Sequence, residues 1–549
     1  RRMYPAFTEG DFEPFAVNDD VFGYYRSCGN DCLAVLLNRS GEKACTAEIE
    51  DRGGRAAEII SGAALVKKDG KVLLSLSPMG SAAVHFNKEN GLAEKMEPGV
   101  GALLHITSLP GGRIDDEAYR FVDVLAGAGV RYWQILPLNP TDEYGSPYAG
   151  RSAFAGNTDL LPENEEELRA GFDAYLSEHA LKKEDLRHWF AGAGWFTGAA
   201  VKDPAGLLVK RESWAAPYCI FTAVKKRFDE KPWTEWPVEY RSFSAGLPED
   251  DDILYEASFR AYAQYRFDTC WKALKEYANS RGIKIIGDMP MYVALDSADV
   301  WADKRLFTID DDGREDSCAG VPPDRFAEEG QLWGNPLYNW ETMKAEGFSW
   351  WMKRFDRMFG LYDYTRLDHF RGFESYWAVP YGEKAIKGRW RFGPGEELFK
   401  KAYEKFGPLP VFAEDLGMIT PQVRALMDIT GFYGTDVMQF YDGDPLESYT
   451  PPERKIAYSG THDNQALKGW CEEKYKGRDP EKCAGKLLQN LMACGADIKI
   501  IPLQDLMMLG DEARMNKPGT AGENWSFRAD EDYSEHIKWP VIPETEGCK

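Results

Sequence analysis

"SFRAYAQYRFDTCWKALKEYANSRG" (258–282), followed directly by "IKIIGDMPMYV" (283–293), joins a helical pattern to the pattern of a buried strand. The first part repeats apolar residues at helical spacing and ends at Gly282, a residue type that often terminates helices. The second part is a short apolar run, which is typical of a strand covered on both faces. A helix that leads straight into such a strand is the repeating unit of α/β proteins.

Further strand-like runs occur from residue 100 onward, and amphipathic stretches separate several of them. The runs are GALLHITSLP (101–110), YWQILPLNP (132–140), YDYTRLDHF (362–370), VFAEDL (411–416), DVMQFY (436–441), KIAYSGTHDN (455–464) and IKIIPLQDLM (498–507). Together with the first run they predict eight strands that alternate with helices, and therefore an α/β protein with a (β/α)8 TIM barrel. A doubly wound sheet is the alternative. It needs a Gly-rich loop after its first strand, and SLPGGR (108–113) is no G-x-G-x-x-G.

Two regions differ from this alternation. Residues 1–95 contain short β-type runs broken by Gly, Asn, Asp and Ser, which predict a small all-β sandwich domain before the barrel. The polar stretch 87–99 is predicted as a linker, and residues 96–549 as the barrel domain. The interval 141–282 is too long for one crossover, so we expect an inserted helical subdomain at about 160–255.

Composition and charge exclude several classes of partner. The net charge of −23 argues against nucleic acid, because phosphate binding needs clustered Lys and Arg. No run of about 18 apolar residues occurs, so no membrane span is expected. The ten cysteines are irregularly spaced, which favours reduced thiols in a cytoplasmic protein over a zinc or disulfide framework. The chain begins Arg1-Arg2-Met3, which favours a fragment of a longer protein.

Acidic residues follow several predicted strands at the end where a barrel places its active site. They are Asp288, Asp368, Glu414, Asp415 and Asp463. Each one alone could cap a helix or form a salt bridge, but the whole set favours a catalytic site. Because strand residues alternate in direction, Arg366 and Asp368 should point the same way, and the guanidinium then favours an ionised Asp368.

Retaining glycosyl transfer needs two carboxyl groups with different roles, a nucleophile and a proton donor. An ionised Asp368 suits the nucleophile. Glu414 follows the apolar residues 411–413, which suits the proton donor, since that group needs a raised pKa. Asp463 could be a third acid that holds sugar hydroxyls while the ring distorts.

Three of the seven histidines, His105, His369 and His462, also lie at predicted strand ends. A metal site is one alternative, but no H-E-x-x-H or other compact ligand motif is present. A Ser–His–Asp hydrolase is another, and the sequence lacks its G-x-S-x-G turn. Hydrogen bonding of neutral imidazole to sugar hydroxyls is the favoured use of these histidines.

Taken together, the motifs resemble those of the 4-α-glucanotransferases, also called amylomaltases or disproportionating enzymes, of the α-amylase clan. The resemblance runs from about residue 100 to about 528 and is carried by YGSPYAGRSAFAGN, IIGDMPMYV, GVPPDRFAEEGQLWGNPLY, RLDHFRGF, FAEDLG and SGTHDN. It implies that Asp368 is the nucleophile, Glu414 the general acid/base and Asp463 the transition-state stabiliser. It also implies that neither a metal nor an organic cofactor is required.

The same resemblance implies a set of substrate-binding residues in the donor site and the glucan groove. They are Arg366, His369, His462, Asn464, Asp324, Gln331, Trp333, Tyr144, Ser146, Tyr148, Asp288, Asn516 and Pro518. The loop EYGSPY (143–148) is one residue shorter than the commoner form in the family. The implied reaction passes an α-1,4-glucan segment from a maltodextrin or starch donor to the 4-OH of a glucose or maltodextrin acceptor.

Two alternatives to this activity remain. One is an α-1,4-glucan hydrolase of the same clan, and the other is a catalytically silent glucan-binding scaffold, against which the presence of all three acids argues. Residues 1–95 lie outside the family. From RRMYPAFTEGDF (1–12) onward they resemble the end of an α-amylase chain with its C-terminal sandwich. We therefore expect part of an amylase–glucanotransferase fusion, whose sandwich packs on the barrel rather than binding glucan.

Overall fold

The computed structural model of the protein describes most of the chain, and the structural statements below concern these residues. They are 11–28, 31–50, 52, 55–60, 65–68, 71–87, 91–190, 203–243, 250–323, 328–520 and 522–541. The chain divides into two compact units. The sandwich unit takes its described residues from 1–95, 370–375 and 392–434, and the barrel unit takes the others.

The N-terminal part of the sandwich unit consists of two antiparallel sheets. Its strands are β1 (Asp11–Ala16), β2 (Val21–Cys28), β3 (Asp31–Asn38), β4 (Cys45–Glu50), β5 (Arg55–Ile60), β6 (Leu65–Lys68), β7 (Lys71–Leu76) and β8 (Ser81–Asn87). One sheet has the order β1-β2-β3-β8-β5 and the other β4-β7-β6. Alternate residues of both sheets, among them Leu36, Leu74 and Phe86, form one buried core, which confirms the predicted small sandwich.

The later strands form an eight-stranded sheet and a smaller four-stranded sheet. They are β9 (Gly99–Leu103), β10 (Tyr132–Gln134), β11 (Lys284–Met289), β12 (Ser317–Val321), β13 (Gln331–Pro336), β14 (Tyr364–Leu367), β15 (Ser375–Pro380), β16 (Arg389–Phe392), β17 (Val411–Ala413), β18 (Gly434–Val437), β19 (Lys455–Tyr458) and β20 (Ile498–Pro502). The large sheet has the order β17-β14-β11-β10-β9-β20-β19-β18, and the small one β13-β12-β15-β16.

The strand order is that of a TIM-type barrel, in which neighbours in sequence are neighbours in the sheet. The pairings β9–β10, β10–β11, β11–β14, β19–β20 and β20–β9 are all parallel. The predicted (β/α)8 fold is therefore confirmed. All eight strands of the large sheet overlap the predicted strand-like runs, and β9 and β18 begin two residues before theirs.

Helices separate most of these strands. They are α1 (Asp116–Gly127), α2 (Glu165–Glu178), α3 (Arg187–Phe190), α4 (Pro204–Arg211), α5 (Ala215–Arg227), α6 (Asp251–Ser280), α7 (Ala298–Ala302), α8 (Trp340–Ala345), α9 (Ser349–Leu361), α10 (Arg371–Glu374), α11 (Glu396–Phe406), α12 (Pro421–Thr430), α13 (Leu467–Lys474), α14 (Pro480–Ala493), α15 (Leu503–Leu506) and α16 (Tyr533–His536). In the described part of the chain no helix combines the length and the apolar character that a membrane crossing requires.

The inserted helical region contains α2 to α5, between β10 and the long helix α6. Helix α6 begins after Asp250, whose carboxylate accepts hydrogen bonds from the amides of Asp252 and Ile253. Its apolar residues pack inward, with Trp271 and Leu274 almost fully buried. Because α6 ends next to Gly282 and leads into β11, it fixes where Asp288 emerges at the other end of that strand.

The stretch predicted as a linker is ordered in its second half. Leu92 is 6% exposed, and its amide donates to the carbonyl of Thr430 over 2.6 Å. Its own carbonyl accepts from the amide of Leu409, and the amide of Glu94 donates to the Leu409 carbonyl. An apolar side chain and paired backbone groups thus hold residues 91–94 in place, so this part of the predicted linker is ordered.

Candidate active site

Three side chains of the barrel unit form a charged network at the ends of β11 and β14. Asp288 and Arg366 are directly opposite each other in the parallel register of these strands. The Arg366 guanidinium lies 2.6 Å from Asp288 Oδ2 and 3.0 Å from Asp368 Oδ1. Arg366 and Asp368 therefore lie on one side of the strand, as residues two apart do in an extended chain. One cation is thus shared by two carboxylates.

The two carboxylates of this network differ in exposure. The Asp288 side chain is 0% exposed, whereas that of Asp368 is 26% exposed. Burial raises the pKa of Asp288, although Arg366 opposes this effect. The hydroxyl of Tyr148 donates to Asp288 Oδ2 over 2.7 Å, and burial together with this carboxylate raises the pKa of Tyr148 well above its ordinary value. Asp288 is consequently an internal support, while Asp368 can be reached from outside.

Asp463 lies in the turn that follows β19, and both its carboxylate and its backbone carbonyl accept hydrogen bonds. Its Oδ1 accepts a hydrogen bond from the Asn516 amide over 2.6 Å and lies 3.4 Å from His462 Nε2. Its backbone carbonyl accepts from Arg514. Asn464 closes the turn, because its Oδ1 accepts from both the amide and the hydroxyl of Thr461. The Asp463 side chain remains 42% exposed, so a ligand can reach it.

An aromatic stack connects the loop around Tyr148 with the Asp463 turn. The rings of Tyr148 and His462 are stacked, with centroids 5.2 Å apart and planes 14° apart. Trp525 lies 5.7 Å from Tyr148 and 6.0 Å from His462. The backbone of Trp525 has a φ of 63°, a left-handed conformation that is uncommon for a bulky residue. Such conformations are found at functional sites in many proteins.

A cavity of about 440 Å³ opens beside this stack. Trp525 and Pro147 line it, together with His105, Arg113 and Asn157 among others. Burial and the neighbouring His462 lower the pKa of His105 to about 3, so its imidazole is uncharged at neutral pH. The volume lies in the range of small-molecule sites, and the mixture of an indole with amide, hydroxyl and guanidinium groups suits a sugar.

The loop from 142 to 148 is organised by a residue that the sequence reasoning missed. Asp142 Oδ1 accepts hydrogen bonds from the amides of Tyr144 and Ser146. The Ser146 hydroxyl accepts in turn from the amide of Tyr148. Of the predicted residues Tyr144, Ser146 and Tyr148, Tyr148 contacts Asp288 through its hydroxyl. The Ser146 hydroxyl is bonded within the loop, and the Tyr144 ring is 62% exposed.

Strand β13 contributes another aromatic contact. The Trp333 ring meets His369 edge to face with centroids 4.9 Å apart, and its N–H donates to Gln331 Oε1 over 3.1 Å. Trp333 is 38% exposed, and His369 has a φ of 46°, again in the left-handed region. Pro518 is exposed on the loop that follows Asn516. Asp324 lies outside the described residues.

Glu414 belongs to the sandwich unit, directly after β17. Its Oε1 accepts a hydrogen bond from the amide of Leu416 over 2.7 Å. Its carbonyl accepts from the amide of Phe370 over 3.0 Å, and Phe370 packs on Phe399 and Phe432. The Glu414 side chain is half-buried and accepts a hydrogen bond within its own turn, while its backbone carbonyl is bonded to Phe370, a member of a cluster of phenylalanines.

A family profile described as 4-alpha-glucanotransferase, of glycoside hydrolase family 77, matches residues 104–532. The chain belongs to this 4-α-glucanotransferase family. The 4-alpha-glucanotransferase of Thermus thermophilus is 41% identical over 469 residues, which cover 78% of this chain and 94% of the relative. That of Aquifex aeolicus is 40% identical over 475 residues, with 79% and 96% covered. The structure of the amylomaltase from Streptococcus agalactiae in complex with acarbose is 33% identical, covers 80% of this chain and 98% of that one, and has a TM-score of 0.67.

The predicted resemblance to 4-α-glucanotransferases is therefore confirmed for the barrel. Every candidate site residue lies inside the matched segment, while residues 1–103 lie outside it. The likeness of residues 1–95 to the end of an α-amylase stays a prediction, and the first ten of them lie outside the described residues.

Sequence reasoning missed Trp525 and Asp142, whereas it did single out His105, which lines the cavity. Trp525 stands in GENWSFR, a segment that the sequence resemblance did include. Its position could have been suspected from a lone indole among glycines and polar residues. Nothing in the sequence indicated the stack with His462, because that contact joins residues that are far apart in the chain.

Proposed function

We propose that the protein is a retaining 4-α-glucanotransferase, which moves α-1,4-glucan segments between maltodextrin or starch chains through a covalent glucosyl–Asp368 intermediate. Family membership over residues 104–532 supports the reaction class. The observation that carries the mechanism is the 3.0 Å ion pair between Arg366 and the partly exposed Asp368, since it holds an accessible carboxylate in one orientation beside a cation.

In the first step an Asp368 oxygen attacks the anomeric carbon of the donor, and the bond from that carbon to the departing O4 breaks. Glu414 gives its proton to this O4, so the shortened glucan leaves as an alcohol. The carboxylate of Asp368 becomes an ester and loses its charge. Arg366 then retains Asp288 as its partner, so the cation stays neutralised throughout the step.

In the second step the 4-OH of an acceptor glucan attacks the same carbon and displaces Asp368. Glu414 takes the proton from that hydroxyl and so returns to its starting state. Two inversions at one carbon restore the original configuration. Transfer instead of hydrolysis requires that the acceptor sugar occupies the site and keeps water away from the ester.

The surrounding groups have the chemistry to hold the sugars. The Asp463 carboxylate, oriented by Asn516, can accept hydrogen bonds from ring hydroxyls next to the reacting bond. The exposed Trp333 and the cavity-lining Trp525 offer apolar faces to pyranose rings. We assign the 440 Å³ cavity to donor sugars, because it adjoins the Tyr148–His462 stack.

A test of the reaction type is incubation with maltotriose, followed by chromatography of the products. We expect glucose together with a series of longer maltodextrins. An α-1,4-glucan hydrolase would instead give only glucose and maltose, and that result would contradict the assignment of transfer. A variant Asp368→Asn should make neither set of products, whereas the exposed control Asp442→Asn should retain the activity.

Location and partners form the less specific part of the proposal. All nine cysteines in the described part of the chain are free thiols, and six of these are buried, which suits the reducing cytoplasm. With a net charge of −23, glucans rather than nucleic acids are the expected ligands. Origin from an amylase–glucanotransferase fusion would account for a sandwich outside the family match. Tracing the reading frame upstream for an amylase barrel would test it.

A further inference from the structure

The outer face of one sandwich sheet packs on a helix from much later in the chain. Leu33 on β3 and Ala83 on β8 form a buried cluster with Ala425 and Ile429 of helix α12. Leu33, Ala83 and Ala425 are at most 1% exposed, and Ile429 is 6% exposed. Strand β5 also lies against this helix.

A second contact comes from the segment that follows the sandwich. The amides of Leu92 and Ala93 both donate to the carbonyl of Thr430, the last residue of α12. Leu92 and Glu94 exchange backbone hydrogen bonds with Leu409, two residues before β17. This segment therefore joins the end of α12 to the start of β17.

Gly91 shows how closely the two backbones approach. It has a φ of 72°, and a Cβ atom added to it would lie 3.0 Å from Gly431 Cα and 3.2 Å from the Thr430 carbonyl oxygen. Gly431 in turn ends α12 in a left-handed conformation, with its amide bonded to the Met427 carbonyl. Any side chain at position 91 is strained by the backbone and pushes on the end of the helix.

Glu414 lies on the connection between these two supported elements. Strand β17 ends at Ala413, whose amide donates to the Tyr433 carbonyl, and α12 begins after Thr420. The connection between them is short, so a shift of β17 or α12 must move the Glu414 carboxyl. A displacement of about 1 Å at a catalytic group can cost roughly 100-fold in rate.

We propose that the N-terminal sandwich and residues 91–94 act as a positioning element for Glu414, by fixing both ends of the β17–α12 unit. This inference rests on the proposed role of Glu414 as the general acid/base. The family match begins at residue 104, so the support comes from a part of the chain that lies outside the family. Leu33 and Gly91 are then positioning residues, because they act on the proton transfer through Glu414 and do not contact the reacting atoms.

The test uses two donors that differ in their need for a proton. Maltotriose needs Glu414 to protonate the departing oxygen, whereas maltotriosyl fluoride releases fluoride without a proton. Azide then attacks the anomeric carbon, displaces Asp368 and forms a glycosyl azide, again with no proton to remove. A misplaced Glu414 should therefore slow disproportionation of maltotriose but leave azide-trapped release of fluoride nearly unchanged.

Leu33→Ala should lower the rate on maltotriose about 10-fold, with an unchanged KM, and lower the fluoride reaction less than about 2-fold. Its matched control is Leu37→Ala, a change on the same face of the same strand at a residue that is 37% exposed. The control should alter neither rate. Near-ultraviolet circular dichroism verifies that each variant is folded.

Gly91→Ala tests the contact of residues 91–94 with the end of α12, and it leaves the core of the sandwich unchanged. It should show the same split between donors, and the control Gly41→Ala, which meets nothing within 4 Å, should not. An equal loss on both donors, or no loss on either by folded variants, would overturn the inference. Glu414→Gln separates this failure from that of the proposed function, because equal losses on both donors in that variant would remove Glu414 from the acid/base role.

Discussion

The Asp368 network and the Asp463 turn hold their carboxylates in different ways. Asp368 is paired with a buried guanidinium that is itself anchored by the fully buried Asp288. Asp463 has a neutral amide and an imidazole as neighbours and is more exposed. A carboxylate held by an ion pair in a rigid network suits a group that must form a bond. A carboxylate held by an amide and an imidazole can exchange these partners for sugar hydroxyls at small cost.

The largest effect should follow from removing the attacking oxygen. Asp368→Asn retains the size of the side chain but not its nucleophilicity, so the rate of transfer from maltotriose should fall by about 10⁴-fold or more. Asp463→Asn should cost less, since an amide still accepts and donates hydrogen bonds. Initial rates of glucose release measure both. Equal losses of rate in the two variants would contradict the assignment of different roles to Asp368 and Asp463.

Breaking the charged network should affect stability as well as activity. Arg366→Gln leaves Asp288 buried without its cation, which should reduce the free energy of unfolding by about 3–5 kcal/mol. Addition of Asp288→Asn removes the uncompensated charge and should recover most of this loss. Urea unfolding of the single and double variants measures the effect. No recovery in the double variant would show that packing of the arginine, and not charge balance, carries the stability.

The sequence could predict the charged network better than the Asp463 turn for a physical reason. Arg366 and Asp368 are two residues apart on one strand, so alternation alone places them together. The barrel was likewise predictable, because each strand–helix unit carries its own local pattern. The contacts of Asp463 with Asn516, and those of Tyr148 with Trp525, join loops that no local pattern relates. The same is true of the packing of Leu33 on α12.

A moderate effect should follow from a change at Asn516. Asn516→Ala removes the N–H donor that orients Asp463, and a hydrogen bond to a charged group contributes about 1.5–3 kcal/mol. We expect kcat/KM for maltotriose to fall by roughly 10- to 100-fold. Lys517→Ala changes the next residue, which is exposed, and should have little effect. If Asn516→Ala retains full activity, the neutral partners of Asp463 are not needed to orient it.

The smallest effect concerns His105, a buried, uncharged imidazole near His462 and the Asp463 turn. Burial and His462 lower its pKa to about 3, whereas an unfolded histidine has a pKa of about 6.5. Between these values the unfolded chain binds more protons than the folded one, so this residue makes stability rise with pH across that window. The contribution of His105 to the free energy of unfolding is complete above the pKa of the unfolded state. It is lost as the pH falls toward the pKa of the folded state.

His105→Phe retains a ring of similar size and removes the titration. The slope of unfolding free energy against pH, measured by urea titration from about pH 4 to 6.5, should then become flatter by up to about 1.4 kcal/mol per pH unit. His536→Phe is the control, because that imidazole is largely exposed and pairs with Asp532. An unchanged slope in His105→Phe would mean that the imidazole can be protonated in the folded protein. A second positive charge would then fit beside His462, in addition to that of Arg514, and the buried imidazole of His105 would no longer distinguish this turn from the Asp368 network.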